Sequence, residues 1–202
     1  LSGLGHPLQF VPTMGGLHEG HGELIRRAAE QGPVLVSVFV NPLQFGPGED
    51  FDRYPRSLEA DLALADRCGA AALWAPTVQT IYPDGAAADS ARQAPSALQQ
   101  HLCGAGRPGH FDGVVTVVAR LLELTRPAGL WLGEKDWQQL VILRQLVADL
   151  VLPVKIHGVA TVREADGLAL SSRNPYLSAA QRLQAAALPA ALRAADGTTP
   201  LD

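Results

Sequence analysis

The chain has 202 residues, 47% of them hydrophobic, and its 16 Lys and Arg against 20 Asp and Glu leave a formal net charge of -4. That is enough for one substantial domain with an ordinary core plus part of another, and the weakly acidic balance offers no electrostatic footprint for a nucleic acid or a membrane surface. No apolar run reaches the ~18 residues of a membrane span, no signal-peptide pattern opens the chain, and Cys68 and Cys103 form no Cys-x-x-Cys pair, so a reducing cytoplasm is the expected setting.

In chain order, Leu8 to Val11 reads as a short buried strand, followed by a glycine turn and a helix to about Glu30 with Ile25, Ala28 and Ala29 as its apolar positions. Val34 to Val40 is an almost unbroken apolar, β-branched run, the pattern of a strand covered on both faces. A Gly- and Pro-rich loop spans Asn41 to Asp52. Ser57 is placed to cap a helix to Cys68, with Gly69 as its stop. Ala71 to Trp74 predicts another strand, and Pro83 to Pro95 a surface loop. Helices are expected at Ala97 to Leu102, Phe111 to Thr125 and Trp137 to Leu150, a strand at Leu130 to Leu132, and one or two strands within Lys155 to Val162. After Arg163 the pattern breaks into a polar turn, Ser171-Ser172-Arg173, and an Ala-rich helix from Ser178 to Ala195. Strands alternating with helices at this spacing imply an α/β fold, a doubly wound parallel sheet with ligands at the C-terminal strand ends.

The most informative stretch is Pro12-Thr-Met-Gly-Gly-Leu-His-Glu-Gly-His21, which sets two imidazoles three residues apart where a strand gives way to a helix. A helix N-terminus presents unpaired N–H groups and partial positive charge, and the glycines admit a ligand close to the backbone. Structural zinc is set aside because the zincin pattern needs His at i and i+4 on a formed helix. Gly104-Ala-Gly-Arg-Pro-Gly109 satisfies the dinucleotide pattern but follows a helix instead of a strand, and no P-loop pattern occurs.

His18-Glu-Gly-His21 resembles the H-x-G-H signature of nucleotidyltransferases related to class I aminoacyl-tRNA synthetase cores, and Phe10 to His21 as a whole is similar to the pantothenate synthetase family. Four further segments match that family in order: Val40-Asn-Pro-Leu-Gln-Phe-Gly46, Arg107-Pro-Gly-His-Phe-Asp-Gly-Val114, Gly133-Glu-Lys-Asp-Trp-Gln-Gln139 and Arg163-Glu-Ala-Asp-Gly-Leu-Ala-Leu-Ser-Ser-Arg-Asn174. The resemblance implies a Rossmann-like domain over 1–162 and, over 163–202, the start of a smaller C-terminal lid, the chain looking truncated relative to the family at both ends.

It also implies ATP- and magnesium-dependent ligation of pantoate and beta-alanine through a pantoyl adenylate by a cytoplasmic homodimer. Another nucleotidyltransferase of the superfamily and an inactive fragment are the competing readings. By resemblance, His18, His21, Lys135 and Arg173 carry catalysis, and ATP is held by Met14, His18, His21, Gly133, Lys135, Asp136, Val162, Ser171, Ser172 and Arg173. Pantoate and beta-alanine meet Met14, Asn41, Gln44, Arg107, His110 and Gln139. Where the family often has an acidic cluster, Glu59-Ala60-Asp61 leaves Asp61 as the metal candidate.

Overall fold

A computed structural model describes residues 3–85 and 92–196. Part of the expected loop between Pro83 and Pro95 therefore lies outside the described residues. The chain begins with β1 (Gln9–Thr13), α1 (Glu19–Ala29), β2 (Val34–Val38), α2 (Leu58–Arg67) and β3 (Ala72–Trp74). Three short helices, α3 (Val78–Ile81), α4 (Ser96–Gln99) and α5 (Leu102–Gly106), lead to α6 (His110–Thr125), β4 (Gly129–Gly133), α7 (Trp137–Asp149) and β5 (Lys155–Val159). Past an isolated antiparallel bridge between Arg163 and Ala169 come α8 (Ala179–Ala185) and α9 (Ala187–Asp196).

All four strand pairings are parallel, in the order β3-β2-β1-β4-β5. Alternation along the strands serves two cores. Phe10, Leu35, Leu130 and Leu132 join Val115, Leu122, Ile142 and Leu143 of α6 and α7 on one face, while Val11, Val34, Val36 and Trp131 meet Leu24, Ile25, Ala28 and Leu64 of α1 and α2 on the other. Each fully buried Leu, Ile or Phe contributes about 1.5–3 kcal/mol, and a sheet covered on both faces accounts for the continuous apolar runs in β1 and β2.

Several boundaries differ from those expected. The apolar stripe of α1 falls on Leu24, Ile25 and Ala28, while Ala29, a further 100° around the axis, is exposed. Ser57 occupies the N-cap of α2 but makes no side-chain capping bond, its ψ of 80° departing from the extended N-cap geometry; Gly69, at φ +94°, does stop that helix. The helix expected at Ala97 to Leu102 is two pieces, α4 and α5, because Leu102 takes a left-handed φ of 51°. Of the one or two strands expected within Lys155 to Val162, the structure forms one, β5. The long C-terminal helix breaks at Ala186, since Pro189 can donate no backbone hydrogen bond and is accommodated within the first turn of a new helix, where no intrahelical donor is needed.

Candidate active site

The chain leaves β1 toward β2 and β3, and returns to place β4 and β5 on the other side of β1. Register pairs join β1 to β2 along its whole length, from Gln9–Val34 to Thr13–Val38, but the β1–β4 ladder consists of Gln9–Gly129 and Phe10–Leu130. Beyond those pairs the strands part, and the crevice at their C-terminal ends is the topological switch point where open α/β sheets bind ligands.

The turn leaving β1 is braced by side chains. Thr13 Oγ1 accepts from Gly15 N at 3.2 Å and donates to Ser37 O at 2.6 Å. Gly15 and Gly16 have φ of +88° and +61°, and a Cβ on Gly15 would stand 2.9 Å from Val38 Cγ1 and 3.0 Å from Asp61 Oδ2. Asp61, 2% exposed, commits its carboxylate to this turn: Oδ2 accepts from Gly16 N at 3.1 Å and Oδ1 from Leu17 N at 2.7 Å. The metal candidate of the sequence reading is thus a backbone brace. Both Asp61 oxygens are spent on backbone N–H groups, and among the described residues no three His, Cys, Asp or Glu are grouped to hold a metal ion.

His18 and His21 form a reciprocal cap on α1. His18 Nδ1 accepts from Gly20 N at 3.1 Å, and His21 Nδ1 accepts from His18 N at 3.2 Å. The intervening glycine is required, because a Cβ at residue 20 would lie 2.9 Å from the His18 ring. With each Nδ1 accepting, each neutral ring carries its proton on Nε2. Burial, reinforced by the nearby Lys135 charge, lowers the His18 pKa; the same burial, with His18 and Lys135 close by, drops His21 to about 3. At neutral pH the pair presents uncharged N–H donors, and positive charge comes from Lys135, which is exposed and has no hydrogen-bond or salt-bridge partner among the described residues.

The opposite wall comes from the turn after β2, where Pro42–Gln44 forms one turn of 3-10 helix. Gln44 is 9% exposed, and its amide bridges Asn41 Nδ2, which donates to Oε1 at 3.2 Å, and Met14 Sδ, to which Nε2 donates at 2.9 Å. The backbone carbonyl of Gln44 accepts from His110 Nδ1 at 2.8 Å and from Arg107 Nη2 at 3.3 Å. Arg107 also makes a bidentate pair with Glu49 at 2.8 and 2.5 Å, and its Nη1 donates to His110 Nε2 at 3.0 Å. Burial lowers the His110 pKa. Both His110 nitrogens are therefore occupied, and the two residues expected to touch substrate chiefly hold the Gln44 turn. Gln139, one helical turn past Lys135, has no hydrogen-bond partner among the described residues and faces the same cleft.

Arg173 lines the cleft with Ser171 and Ser172, but its Nε and Nη2 donate to Asp50 at 2.7 and 2.9 Å and its guanidinium lies 5.2 Å from the Tyr54 ring centre. The pairing holds the Asp50 carboxyl below its ordinary pKa. Ser172 Oγ meets Tyr54 Oη at 3.1 Å, and Ser171 Oγ accepts from Arg173 N at 3.2 Å. Two cavities, about 220 and 130 Å³, share Pro12, His18, His21, Lys135, Asp136 and Gln139 along their common wall. The larger runs to Asn41, Gln44 and Arg107; the smaller runs to Gly133, Val159, Val162 and Leu170.

A family model for pantoate-beta-alanine ligase matches residues 3–201 of this chain. The chain belongs to the pantoate-beta-alanine ligase family. It is 95% identical over 201 residues to a bifunctional pantoate ligase/cytidylate kinase of Parasynechococcus marenigrum (strain WH8102), covering all of this chain and 40% of that protein, and 74% identical to the protein of the same description in Synechococcus sp. (strain CC9605), again over 40% of its length. The chain thus spans about two fifths of these relatives. Among solved structures, pantothenate synthetase from Thermus thermophilus superposes with a TM-score of 0.90 at 53% identity, over 95% of this chain and 69% of that one. The Francisella tularensis pantoate-beta-alanine ligase, complexed with beta-gamma ATP and beta-alanine, gives 0.86 at 41% identity, over 92% and 71%.

Every residue that the family resemblance nominated lines one of the two cavities except Asp61. The residues that sequence reading passed over are the partners: Glu49, Asp50, Tyr54, Tyr82 and Gly113. Gly113 sits inside the matched Arg107 to Val114 segment, and a Cβ there would fall 2.2 Å from Leu43 O, so only glycine lets α6 approach the Gln44 turn. Its location within an apolar helix was the available signal. No helix among the described residues is long and apolar enough to cross a membrane.

Proposed function

We propose that this chain carries the site of an ATP-dependent ligase joining pantoate to beta-alanine, with pantoyl adenylate as the intermediate and AMP and pyrophosphate as the other products. The observation that supports it most is the cleft at the switch point of the sheet, where two neutral imidazole donors, an unpartnered lysine and the Gln139 amide line one wall and the Gln44 amide the other. In the first step a pantoate carboxylate oxygen attacks the α-phosphorus of ATP in line, forming the P–O bond as the bond to pyrophosphate breaks. His18 and His21, donating from Nε2, and Lys135 stabilise charge on the phosphoryl oxygens, and positioning does the rest. In the second step the amine of beta-alanine attacks the acyl carbon and AMP leaves, a step that requires water to be kept from the mixed anhydride.

In this reading the smaller cavity, with Gly133, Asp136 and Val162, takes the adenosine, and Ser171, Ser172 and Arg173 take the distal phosphates. Gln44 and Gln139 take the hydroxyl and carboxylate oxygens of pantoate, for which amides suit because each offers donor and acceptor. Met14 sits between the two. Magnesium arrives with the triphosphate as part of the substrate, and no step is routed through it. Residues 1–162 form the nucleotide- and pantoate-binding domain, residues 163–202 begin a lid, and the enzyme works as a cytoplasmic homodimer. ATP–pyrophosphate exchange measured with and without pantoate tests the reading: exchange that requires pantoate supports it, and exchange driven by another acceptor would replace it.

A further inference from the structure

Asn41 is 1% exposed, and all four of its side-chain hydrogen-bonding positions are used. Oδ1 accepts from Leu43 N at 3.2 Å and from Tyr82 Oη at 2.9 Å, while Nδ2 donates to Gly113 O at 3.0 Å and to Gln44 Oε1 at 3.2 Å. A backbone N–H on one end and a backbone carbonyl on the other leave no choice about which atom is oxygen and which nitrogen. The second Nδ2 hydrogen therefore imposes a direction on Gln44: its oxygen faces Asn41, and its two N–H donors face Met14 Sδ and the cleft. Tyr82 feeds this chain from behind. It is 5% exposed, does not line the cleft, and packs against Phe39 with ring centres 6.2 Å apart. Burial pushes its phenol pKa far above the ordinary value, so it stays a donor.

We propose that Tyr82 is a positioning residue for the acid substrate, acting through Asn41 to hold the Gln44 amide with its donors toward the cleft, so that this corner accepts an oxygen of a hydroxylated carboxylate and not a donor group. The inference rests on the reading that Gln44 contacts pantoate. Releasing Tyr82 leaves Asn41 Oδ1 with the longer bond from Leu43 alone, and the fraction of Gln44 amides turned the productive way falls, which raises apparent KM by the inverse of that fraction.

The test is a double-mutant cycle of Tyr82→Phe and Gln44→Ala in the full-length protein, reading kcat and the KM for pantoate and for ATP. Gln44→Ala should raise the pantoate KM roughly tenfold, and Tyr82→Phe roughly two- to fivefold with kcat and the ATP KM held within about twofold. In the Gln44→Ala background Tyr82→Phe should add nothing, a result that a merely structural tyrosine would not produce. A pantoate KM raised by Gln44→Ala but untouched by Tyr82→Phe, or effects that add in the double variant, would overturn the positioning chain and leave the site reading standing. An unchanged pantoate KM in Gln44→Ala would overturn the site reading and the chain with it. Should Tyr82→Phe not fold, Asn41→Asp runs the same cycle, since it keeps the acceptor for Tyr82 and replaces the donor to Gln44 with an oxygen; the same non-additivity is expected, and its absence overturns the proposal.

Discussion

In the proposed mechanism His18 does two jobs with its two nitrogens, and they can be separated by substitution. Nδ1 accepts from Gly20 N at 3.1 Å and closes the N-terminus of α1; Nε2–H is left for the ligand. Asn retains an oxygen near the Nδ1 position and is a good N-cap, but does not reach as far as Nε2. Gln reaches that far with an N–H donor and forfeits the cap. Losing the cap costs about 1 kcal/mol, which lowers Tm by about 2–4 °C in a domain of this size. Losing a donor to charge that develops on the phosphoryl group costs about 2.7–4 kcal/mol, or a hundred- to thousandfold in rate. His18→Asn should therefore melt within about 1 °C of the parent and exchange pyrophosphate about a hundredfold more slowly. His18→Gln should show the reverse, a lowered Tm with much of the rate restored, and His18→Ala should lose both. The assay pairs pyrophosphate exchange at saturating pantoate with thermal melts of the same preparations. If exchange follows Tm across the three variants, the imidazole is only a cap and the phosphate-donor role is wrong.

Lys135→Ala should slow adenylate formation by about a hundred- to thousandfold with Tm unchanged, because an exposed, unpaired lysine adds little to stability; near-normal exchange in that variant would remove it from the mechanism. Gln139→Ala should raise the pantoate KM about five- to tenfold and leave the ATP KM nearly as it was, and equal effects on both would misplace the acid pocket. His21 has a folded pKa of about 3 against an ordinary 6.5, so the unfolded chain binds the extra proton between those values. The His21 contribution is full above pH 6.5 and falls as pH drops toward 3, by about 2 kcal/mol at pH 5; urea midpoints at pH 7 and 5 should show a loss, shared with the half-buried histidines His18 and His110, that His21→Gln reduces by about that amount, and an identical loss in the variant would contradict the neutral imidazole. Gly113→Ala should destabilise by about 2 kcal/mol or more through a Cβ 2.2 Å from Leu43 O, visible as a lowered Tm; an unchanged Tm would mean that α6 can shift freely.

The parallel sheet and its ligand end were legible because they rest on local pattern, the apolar runs at Leu8 and Val34 and the spacing of strands and helices, whereas the strand order and the crevice between β1 and β4 came from the structure. The side chains that line the cleft were legible through their motifs. Their hydrogen-bond partners were not, because those come from segments far away in sequence. Arg173 reaches Asp50, Tyr54 reaches Ser172, and Asp61 reaches across to Gly16 and Leu17. Nothing in a turn such as Glu49-Asp50 says which arginine it will meet. The family resemblance left Asp61 as the metal candidate, whereas in the structure both its oxygens accept from backbone N–H groups of the glycine turn. The C-terminal helix differs for a simpler reason: the Ala-rich run reads as one helix, whereas Pro189 sits within the first turn of a second helix that begins at Ala187.

Exchange of labelled pyrophosphate into ATP tests the central claim most directly, because it reports adenylate formation before beta-alanine is needed. With the full-length protein, exchange should be absent without pantoate, appear when pantoate is added, and collapse in Lys135→Ala while that variant keeps its Tm. Pantoate-independent exchange, or exchange that survives the loss of Lys135, would contradict the assignment of this cleft as the site where pantoate is activated.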